Sequence, residues 1–396
     1  ASKLYSVLPT DGAGDFTTTR ASVATRVNES GLIEEVAANV SRLDYSDGTC
    51  PSLLLENSAT NLITYSEDFS NVAWTKTRTS ILINNSISPE GTLTADKIIP
   101  SIDNSTHRVD FNYALTDNST YTYSIFAKKG EYNCFALQIG GTSISPDSAE
   151  FNLNTGVSTS GGGTIISSKI EPLANDWFKC SLTMLAGVSD IVNLGIGNDN
   201  VYSFAGDGTS GLYLWGAQLE QNSYATSYIK TVGTTQTRVA DTASGAGNST
   251  VINSTEGVLF FNLSTFTNPI DTFRYIGLSD GTNNNTIQLS FYSATNKYNF
   301  VVRENSSSVI SQSITSVDYS DFVKVAIKYK SGDTSYFVNG VKIGTNSSTY
   351  TFTSPISQLD FGLSFTNSGD FYGKVKSLQV YTTALSDAEL TALTTI

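Results

Sequence analysis

The chain repeats short stretches in which apolar and polar residues alternate, roughly every 8 to 15 residues, with polar turns between them. Residues 121–127 and 177–183 are two examples, and both are rich in aromatic side chains. Successive side chains of a β-strand point to opposite faces, so a period of two is typical of strands rather than of helices. The pattern predicts an all-β protein with two antiparallel β-sandwiches of the jelly-roll type in tandem, after a short irregular N-terminal leader.

One stretch, Leu212–Glu220, is apolar on both of its faces. Leu212 and Leu214 share one face, and Tyr213 and Trp215 share the other. Because a strand that is apolar on both sides must be covered on both sides, we expect it in the middle of a sheet.

Two local signals predict particular turns and ends. Asn339 and Gly340 stand between apolar runs and tolerate the positive φ of a tight hairpin turn. Ser386 and Glu389 have the spacing of a capping box, which predicts a short helix at the C-terminal end of the sequence.

The composition divides the chain into four segments. Residues 1–60 form an irregular leader, 61–240 a first sandwich, 241–254 a linker rich in Ala, Gly and Ser, and 255–396 a second sandwich. We therefore expect both sandwiches to stay folded after residues 1–55 are deleted.

Charge limits the class of partner. The formal net charge is -13 and the sequence pI is about 4.5, with no visible cluster of Lys and Arg. Duplex nucleic acid and anionic membranes are poor partners for such a surface. No stretch approaches the roughly 20 apolar residues of a membrane span, and residues 1–5 lack the apolar region of a signal peptide. We expect synthesis in a reducing cytoplasm, without membrane insertion.

The three cysteines are too few and too widely spaced for a disulfide framework or a zinc knuckle. We expect buried free thiols at Cys50, Cys134 and Cys180. A pair between Cys134 and Cys180 on neighbouring strands stays open.

The sequence argues against an enzyme. His107 is the sole histidine, and its polar surroundings predict a surface or strand-edge position rather than a catalytic one. No Glu-x-Asp-x-Glu pattern supplies the paired carboxylates of a glycosidase strand, although distant carboxylates could still converge. We expect no catalytic residue.

Calcium is the only metal, and the only cofactor, that the sequence leaves open. Asp280 and Asn283 are weak candidates because calcium prefers oxygen ligands from Asp and Asn. An ordinary turn, in which Asp280 binds its own backbone, explains the same residues.

Sugar binding by a β-sandwich needs an aromatic platform with polar edges. The candidates for glycan binding are Trp74, Tyr202, Tyr213 and Trp215. Trp215 and Trp177 stand in strongly apolar strands, where a core position is the stronger interpretation.

Several blocks resemble a carbohydrate-binding-module-like domain of tailed-phage head-spike, head-fibre or tail-fibre proteins. The resemblance covers roughly residues 15–240. Its main blocks are NLITYSEDFSN at 61–71 with Trp74 after it, PEGTLTADK at 89–97 and GDGTSGLYLWGAQLE at 206–220. The upstream segments 20–25 and 53–56 are similar as well.

The last part of the chain resembles a laminin-G-like or concanavalin A-like lectin domain. The similar residues are VKVAIKY at 323–329, the turn at 338–340, GKV at 373–375 and ALSD at 384–387. This fold hosts lectins, enzymes and inert spacers, so it implies architecture more than ligand.

The resemblances imply a bacteriophage structural protein: an exposed fibre, spike or decoration subunit on the virion surface that binds host-surface polysaccharide. They further imply a homotrimer, with other capsid or tail proteins bound through residues 1–60. A soluble bacterial carbohydrate-binding protein or adhesin is the alternative, and a polysaccharide-degrading enzyme is a weaker one. Head or tail location and the identity of the glycan stay open.

Overall fold

The computed structural model describes residues 16–139, 148–187, 191–197, 201–266, 273–292, 297–314, 319–362 and 369–396, and they are almost entirely antiparallel β-structure, as predicted. The strands before residue 240 are β1 (Thr17–Thr19), β2 (Ala24–Val27), β3 (Ile33–Val36), β4 (Arg42–Asp44), β5 (Ser52–Leu55), β6 (Ala59–Asn61), β7 (Trp74–Thr77), β8 (Thr79–Ile87), β9 (Leu93–Pro100), β10 (Ser105–Asn112), β11 (Thr120–Lys128), β12 (Cys134–Ile139), β13 (Ser148–Asn152), β14 (Val157–Gly161), β15 (Ile165–Pro172), β16 (Trp177–Leu185), β17 (Ile191–Gly197), β18 (Ser203–Phe204), β19 (Leu212–Glu220) and β20 (Gln236–Arg238). The later elements are β21 (Thr242–Ser244), β22 (Glu256–Thr265), β23 (Phe273–Ser279), β24 (Thr286–Tyr292), β25 (Lys297–Glu304), β26 (Ser307–Ile314), β27 (Val323–Lys330), β28 (Thr334–Val338), β29 (Val341–Asn346), β30 (Gln358–Asp360), β31 (Gly373–Tyr381) and the helix α1 (Asp387–Thr394).

The chain forms two compact units, and it passes between them more than once. The C-terminal unit contains the described residues 16–21 together with Ala37–Asn57 and Val239–Ile396. The central unit contains Ser22–Val36 and Ser58–Arg238. These units differ from the predicted boundaries, because the described part of the leader supplies strands to both of them instead of standing apart.

The central unit is a sandwich of two antiparallel sheets. One has the order β14-β13-β12-β17-β10-β18, with β7 also paired to β10, and the other has the order β15-β16-β11-β19-β9-β8. The apolar core lies between them. Strand β19 pairs with β11 and β9 in the middle of its sheet, as its two apolar faces predicted.

An aromatic cluster covers the outward face of the six-stranded sheet. Phe126, Trp177, Trp215 and Tyr228 pack there against Ile33, which comes from the hairpin of β2 and β3. Both tryptophans are fully buried, so their predicted core position is confirmed.

The C-terminal unit is a second sandwich. Its larger sheet has the order β29-β28-β27-β22-β31-β5-β4, and its five-stranded sheet has the order β26-β25-β24-β23-β30. Strand β5 pairs with β31 and places Leu53 and Leu55 in the core. The leader segment is therefore part of this domain's sheet.

Both local signals behave as predicted. Asn339 (φ 48°) and Gly340 (φ 80°) form the turn between β28 and β29. The Ser386 hydroxyl and the Glu389 side chain form the capping box at the start of α1, whose Leu390 is fully buried. No described helix is both long and apolar enough to cross a membrane.

Residues 241–254 differ from the flexible linker that their composition suggested. Thr242–Ser244 pairs with β1, and Ala243 and Ala246 are buried in the core of the C-terminal unit. The Gly245 amide donates to the Asp360 carboxylate at 2.8 Å. Small residues permit close packing as well as flexibility, and here they are used for packing.

The cysteines follow the prediction at two positions. Cys134 and Cys180 are buried, form no disulfide in the described chain and lie on strands of different sheets. Cys50 is also free but exposed, so the expectation of a buried thiol was wrong there. It lies in the turn between β4 and β5, where the chain is open to solvent.

Candidate functional site

The outward side of the five-stranded sheet in the C-terminal unit carries buried polar side chains. On β24, Ile287 and Leu289 point into the core. Thr286, Gln288 and Ser290 alternate with them on the opposite face, yet they are only 1%, 2% and 3% exposed. We call this surface, defined by Thr286, Gln288, Ser290 and their cross-strand neighbours, the Gln288 face.

A small cavity, with room for about one water molecule, opens on the Gln288 face. Gly277 makes room for it, because it pairs with Gln288 on one side and with Asp360 on the other. A Cβ atom at Gly277 would lie 2.8 Å from the Cβ of Gln288. The cavity is lined by Gly277, Leu278, Ser279, Thr286, Gln288, Asp360 and Gly362.

Three polar atoms of this face lack a hydrogen-bond partner within the described ranges. They are Thr286 Oγ1, Gln288 Oε1 and Arg303 Nε, and Arg303 pairs directly with Thr286 across β24 and β25. A buried polar atom without a partner costs roughly 1–3 kcal/mol. Thr286 and Gln288 line the cavity, so a polar group that enters it would satisfy their unpaired atoms.

The remaining polar groups supply both donors and acceptors. Asp360 Oδ1 accepts a 2.9 Å hydrogen bond from the Gln358 amide. Burial raises the pKa of Tyr275, which stands opposite Ser290, although the Arg303 guanidinium opposes that rise. The phenol therefore stays protonated as a donor at neutral pH. Mixed donors and acceptors around a small cavity match the hydroxyl groups of a sugar.

Two of the predicted aromatic candidates are not accessible. Trp74 is 1% exposed, packs between Phe69 and Phe111, and donates from Nε1 to the Tyr65 carbonyl at 2.9 Å. Trp215 is buried in the aromatic cluster of the six-stranded sheet. Neither indole presents a face to a ligand, since neighbouring side chains cover both.

The other two aromatic candidates lie on different sheets of the central unit. Tyr213 is half-buried against the aromatic cluster, with the Lys97 ammonium 5.9 Å from its ring centroid. Tyr202 is half-buried beside Gly197, on the seven-stranded sheet. The structure does not bring the four candidates together.

The weak calcium candidates form a turn. Asp280 Oδ1 accepts from the amide and the hydroxyl of Thr282 at 2.9 and 2.6 Å, and Oδ2 accepts from the Asn285 amide at 2.7 Å. The Asn283 side-chain oxygen is buried without a partner among described residues. The described chain contains no group of three or more His, Cys, Asp or Glu side chains placed to hold a metal. Calcium would have to displace the bonds of this turn, so the donor set does not fit it.

His107, for which the sequence predicted a surface or strand-edge position, is buried near the start of β10, so the surface alternative is wrong. Its Nδ1 lies 2.8 Å from the Arg78 carbonyl oxygen, and its Nε2 lies 2.9 Å from that of Phe204. Both ring nitrogens are engaged by the backbone, which explains how a polar residue can occupy this site.

The sequence analysis missed the Gln288 face. The alternation in β24 looks like an ordinary solvent-facing strand, because period two cannot distinguish an exposed polar face from a buried one. The one available signal was Gly277 inside a strand pattern, which marks a close approach or an open space.

Residues 259–391 match the sequence model of the concanavalin A-like lectin/glucanases superfamily. The match is to the C-terminal unit and contains β23 to β31. The predicted concanavalin A-like, laminin-G-like lectin domain is thereby confirmed for this part of the chain. No curated protein sequence matches the chain.

Several solved structures are similar to parts of this chain, all at low scores. The Ruminococcus gnavus IT-sialidase CBM40 bound to alpha2,3 sialyllactose is 21% identical over 38% of this chain and 93% of its own, with a TM-score of 0.32. Trypanosoma rangeli sialidase is 11% identical over 96% and 93%, with a TM-score of 0.31. Mouse laminin alpha1 chain domains LG4-5 are 10% identical over 72% and 90%, with a TM-score of 0.24. At these scores no ligand and no activity transfers to this chain.

Proposed function

We propose that this protein binds glycans through the Gln288 face and does so as an exposed fibre, spike or decoration subunit of a bacteriophage virion. The observation that carries the binding role is the Gln288 Oε1 atom, which has no hydrogen-bond partner among the residues that the structure describes and lies beside the cavity at Gly277. The lectin-like fold of residues 259–391 supports the same role.

The chemistry of the Gln288 face suits a polyhydroxyl ligand better than a hydrophobic one. Sugar hydroxyls both donate and accept, so a single hydroxyl group that enters the cavity can pair with the Gln288 oxygen or the Thr286 hydroxyl, which line it. An apolar ligand would leave these atoms unpaired. Binding by such a small cavity is weak, and display of many copies on one particle would convert it into firm adhesion.

The virion role depends on the resemblance of residues 15–240 to tailed-phage spike and fibre domains. In this proposal the protein lies on the virion surface as a homotrimer, residues 1–60 contact the capsid or tail, and the glycan belongs to the host surface. The net charge of -13 suits a surface displayed at high density in water.

Glycan binding is tested by measuring the affinity of the full chain for purified host-surface polysaccharide by biolayer interferometry. Gln288→Leu should weaken binding about tenfold or more, because the oxygen that binds the sugar is lost. Gln312→Leu is the matched control, since Gln312 pairs with the core-facing Phe300 on the other face of the same sheet. Equal affinity of both variants would refute the role of this face.

Two further measurements separate the alternatives. Detection of the protein in purified phage particles supports the virion role, whereas its absence from particles supports the soluble adhesin. Steady release of reducing ends from host polysaccharide would show that the protein is an enzyme, against our expectation that it binds without cleavage.

A further inference from the structure

The turn between β28 and β29 contains a reactive pair of residues. Asn339 is the one asparagine of the sequence that is followed by glycine. Because glycine has no side chain, nothing on Gly340 obstructs the approach of its backbone nitrogen to the side-chain carbon Cγ of Asn339. Both residues are half-buried, with φ of 48° and 80°. The turn is therefore open to a covalent change as well as being part of the fold.

The change is deamidation, and water is its only co-reactant. The Gly340 nitrogen forms a bond to Asn339 Cγ, the bond from Cγ to Nδ2 breaks, and the proton of the Gly340 amide leaves with Nδ2 as ammonia. Water then opens the succinimide ring to aspartate, or to isoaspartate, in which the side-chain carbon has become part of the backbone. Asparagine is accordingly among the thermolabile residues of proteins.

Two hydrogen bonds engage the reacting groups in the folded chain. The side-chain oxygen of Asn339 accepts from the backbone amide of Lys324 at 2.9 Å, which fixes the Asn339 side chain against β27. The Gly340 amide donates to the Thr394 hydroxyl at 3.1 Å, so its hydrogen points at α1. Attack needs the two reacting atoms about 3–3.5 Å apart and correctly aligned. Both hydrogen bonds must therefore break before the reaction can start.

The docking of α1 places Thr394 for its bond to the turn. Thr394 is fully buried, and its hydroxyl donates to the Leu390 carbonyl oxygen at 2.8 Å, so the hydroxyl oxygen is left to accept from the Gly340 amide. Leu390, one helical turn earlier, is fully buried in the apolar cluster on the outward face of the larger sheet. The position of the Thr394 hydroxyl thus depends on the packing of the helix.

The helix α1 opens more easily than the sheet beneath it. It has eight residues, and a helix of this length has little stability in water without packing. The ion pair between Asp387 and Lys342, at 2.8 Å, is partly exposed and adds little. Local opening of such an element has a lower free energy than global unfolding. Undocking of α1 therefore releases the Gly340 amide while the strands stay paired.

We propose that Asn339 is a latent deamidation site, which the docked helix α1 keeps closed through the hydroxyl of Thr394. Undocking of α1 starts an irreversible change, because isoaspartate lengthens the backbone of the turn by one carbon atom and adds a carboxylate. The site lies on the larger sheet of the C-terminal unit, so it does not depend on the glycan binding proposed for the Gln288 face.

The test is incubation of the full chain in warm, mildly alkaline buffer, followed by mass spectrometry of its proteolytic peptides. The fraction of residue 339 converted to aspartate or isoaspartate is measured over time. The folded native chain should convert at least about tenfold more slowly than the same chain in guanidinium chloride, since two hydrogen bonds protect it. Thr394→Val, which replaces the hydroxyl with a methyl group, should convert about threefold or more faster than the folded native chain.

Thr395→Val is the matched control for Thr394→Val. The Thr395 hydroxyl donates to the Thr391 carbonyl oxygen at 2.8 Å, and the Gly340 amide donates to Thr394 instead. Thr395→Val should therefore convert at the native rate. Equal acceleration by both substitutions, or no acceleration by Thr394→Val, would overturn the proposal, as would a native chain that converts equally fast when folded and when denatured.

Amide hydrogen exchange separates local protection from a general loss of stability. In the native chain the Gly340 amide should exchange faster than the amide of Ile327, which lies on β27 between two paired strands, because α1 opens without the sheet. Thr394→Val should accelerate exchange at Gly340 and leave Ile327 unchanged, whereas general destabilisation would accelerate both. The native comparison stands even if Thr394→Val does not fold, and equal exchange of the two native amides would refute the role of α1.

Discussion

Arg20 and Asp241, which are 221 residues apart in the sequence, form a buried ion pair with Nη1 and Oδ1 2.8 Å apart. Arg42 binds the second oxygen of Asp241 and also Glu56, at 2.7 Å from Nη1 to Oε2. Burial lowers the pKa of Arg42, but the carboxylates of Glu56 and Asp241 outweigh it and raise the pKa. This network joins three separated segments of the C-terminal unit.

We expect Asp241→Asn to lower the free energy of unfolding of the C-terminal unit by roughly 3–5 kcal/mol, because it leaves two buried guanidinium groups with one carboxylate. Differential scanning calorimetry of the full chain measures the effect. Asp47→Asn is the matched control in the same unit, since Asp47 forms a partly exposed pair with Lys374. Asp47→Asn should lower the free energy of unfolding by less than about 1 kcal/mol. Similar losses in both variants would contradict the importance of the buried network.

Deletion of residues 1–55 should destabilise both units, contrary to the expectation from sequence. It removes the hairpin of β2 and β3 from the central unit and β4 and β5 from the C-terminal unit. It also leaves Glu56 and Asp241 without Arg42. Circular dichroism melting checks the result, and a truncated chain with the native Tm would contradict it. Deletion of residues 1–15, which lie outside the described residues, removes none of these contacts and is the better test of attachment to the particle.

Asp96 makes the central unit sensitive to pH. Burial raises the pKa of Asp96 from an ordinary 3.8 to about 6, and the nearby carboxylates of Asp68 and Glu67 add to the rise. The backbone amides of Asn84 and Phe69 oppose it, because they donate hydrogen bonds of 2.9 and 3.1 Å to the Asp96 carboxylate. Between pH 4 and 6 the unfolded chain releases this proton while the folded chain keeps it. The contribution of Asp96 to the free energy of unfolding is therefore fully present below pH 4 and is lost as the pH rises through 6.

Asp96→Asn should make the Tm of the central unit less dependent on pH between 4 and 6, because the titrating carboxyl is gone. A single group changes the free energy of unfolding by at most about 1.4 kcal/mol per pH unit. Calorimetry across this range measures the slope, with Asp103→Asn in an exposed loop as the control. An unchanged slope in Asp96→Asn would contradict the assignment.

The hairpin of β2 and β3 should stabilise the central unit through Ile33. Ile33→Ala removes an apolar side chain from the cluster that contains Trp177 and Trp215. It should lower the free energy of unfolding by roughly 2–4 kcal/mol and shift the tryptophan emission to the red. Val23→Ala is the control because Val23 is exposed, and it should change stability by less than about 0.5 kcal/mol. Native emission and stability in Ile33→Ala would show that the hairpin does not support the cluster.

Features that depend on neighbouring residues were predictable from the sequence. The alternation in Leu212–Glu220 indicated a central strand, Asn339 and Gly340 indicated a hairpin turn, and Ser386 with Glu389 indicated a capped helix. Each is decided by side-chain period, backbone φ preference or a hydrogen bond within a few residues, so the local sequence contains the necessary information.

Features that depend on distant residues were decided only by the tertiary structure. Leu55 pairs with Gly373, and this pairing, not the composition of the leader, assigns β5 to the C-terminal unit. A cavity forms where β23 and β24 place the long polar side chain of Gln288 beside Gly277, which has no side chain. Sequence periodicity states which face a residue takes but not which strand lies beside it. The all-β class therefore followed from the sequence, whereas the assignment of chain segments to the two units and the formation of the Gln288 face followed from the long-range strand pairing.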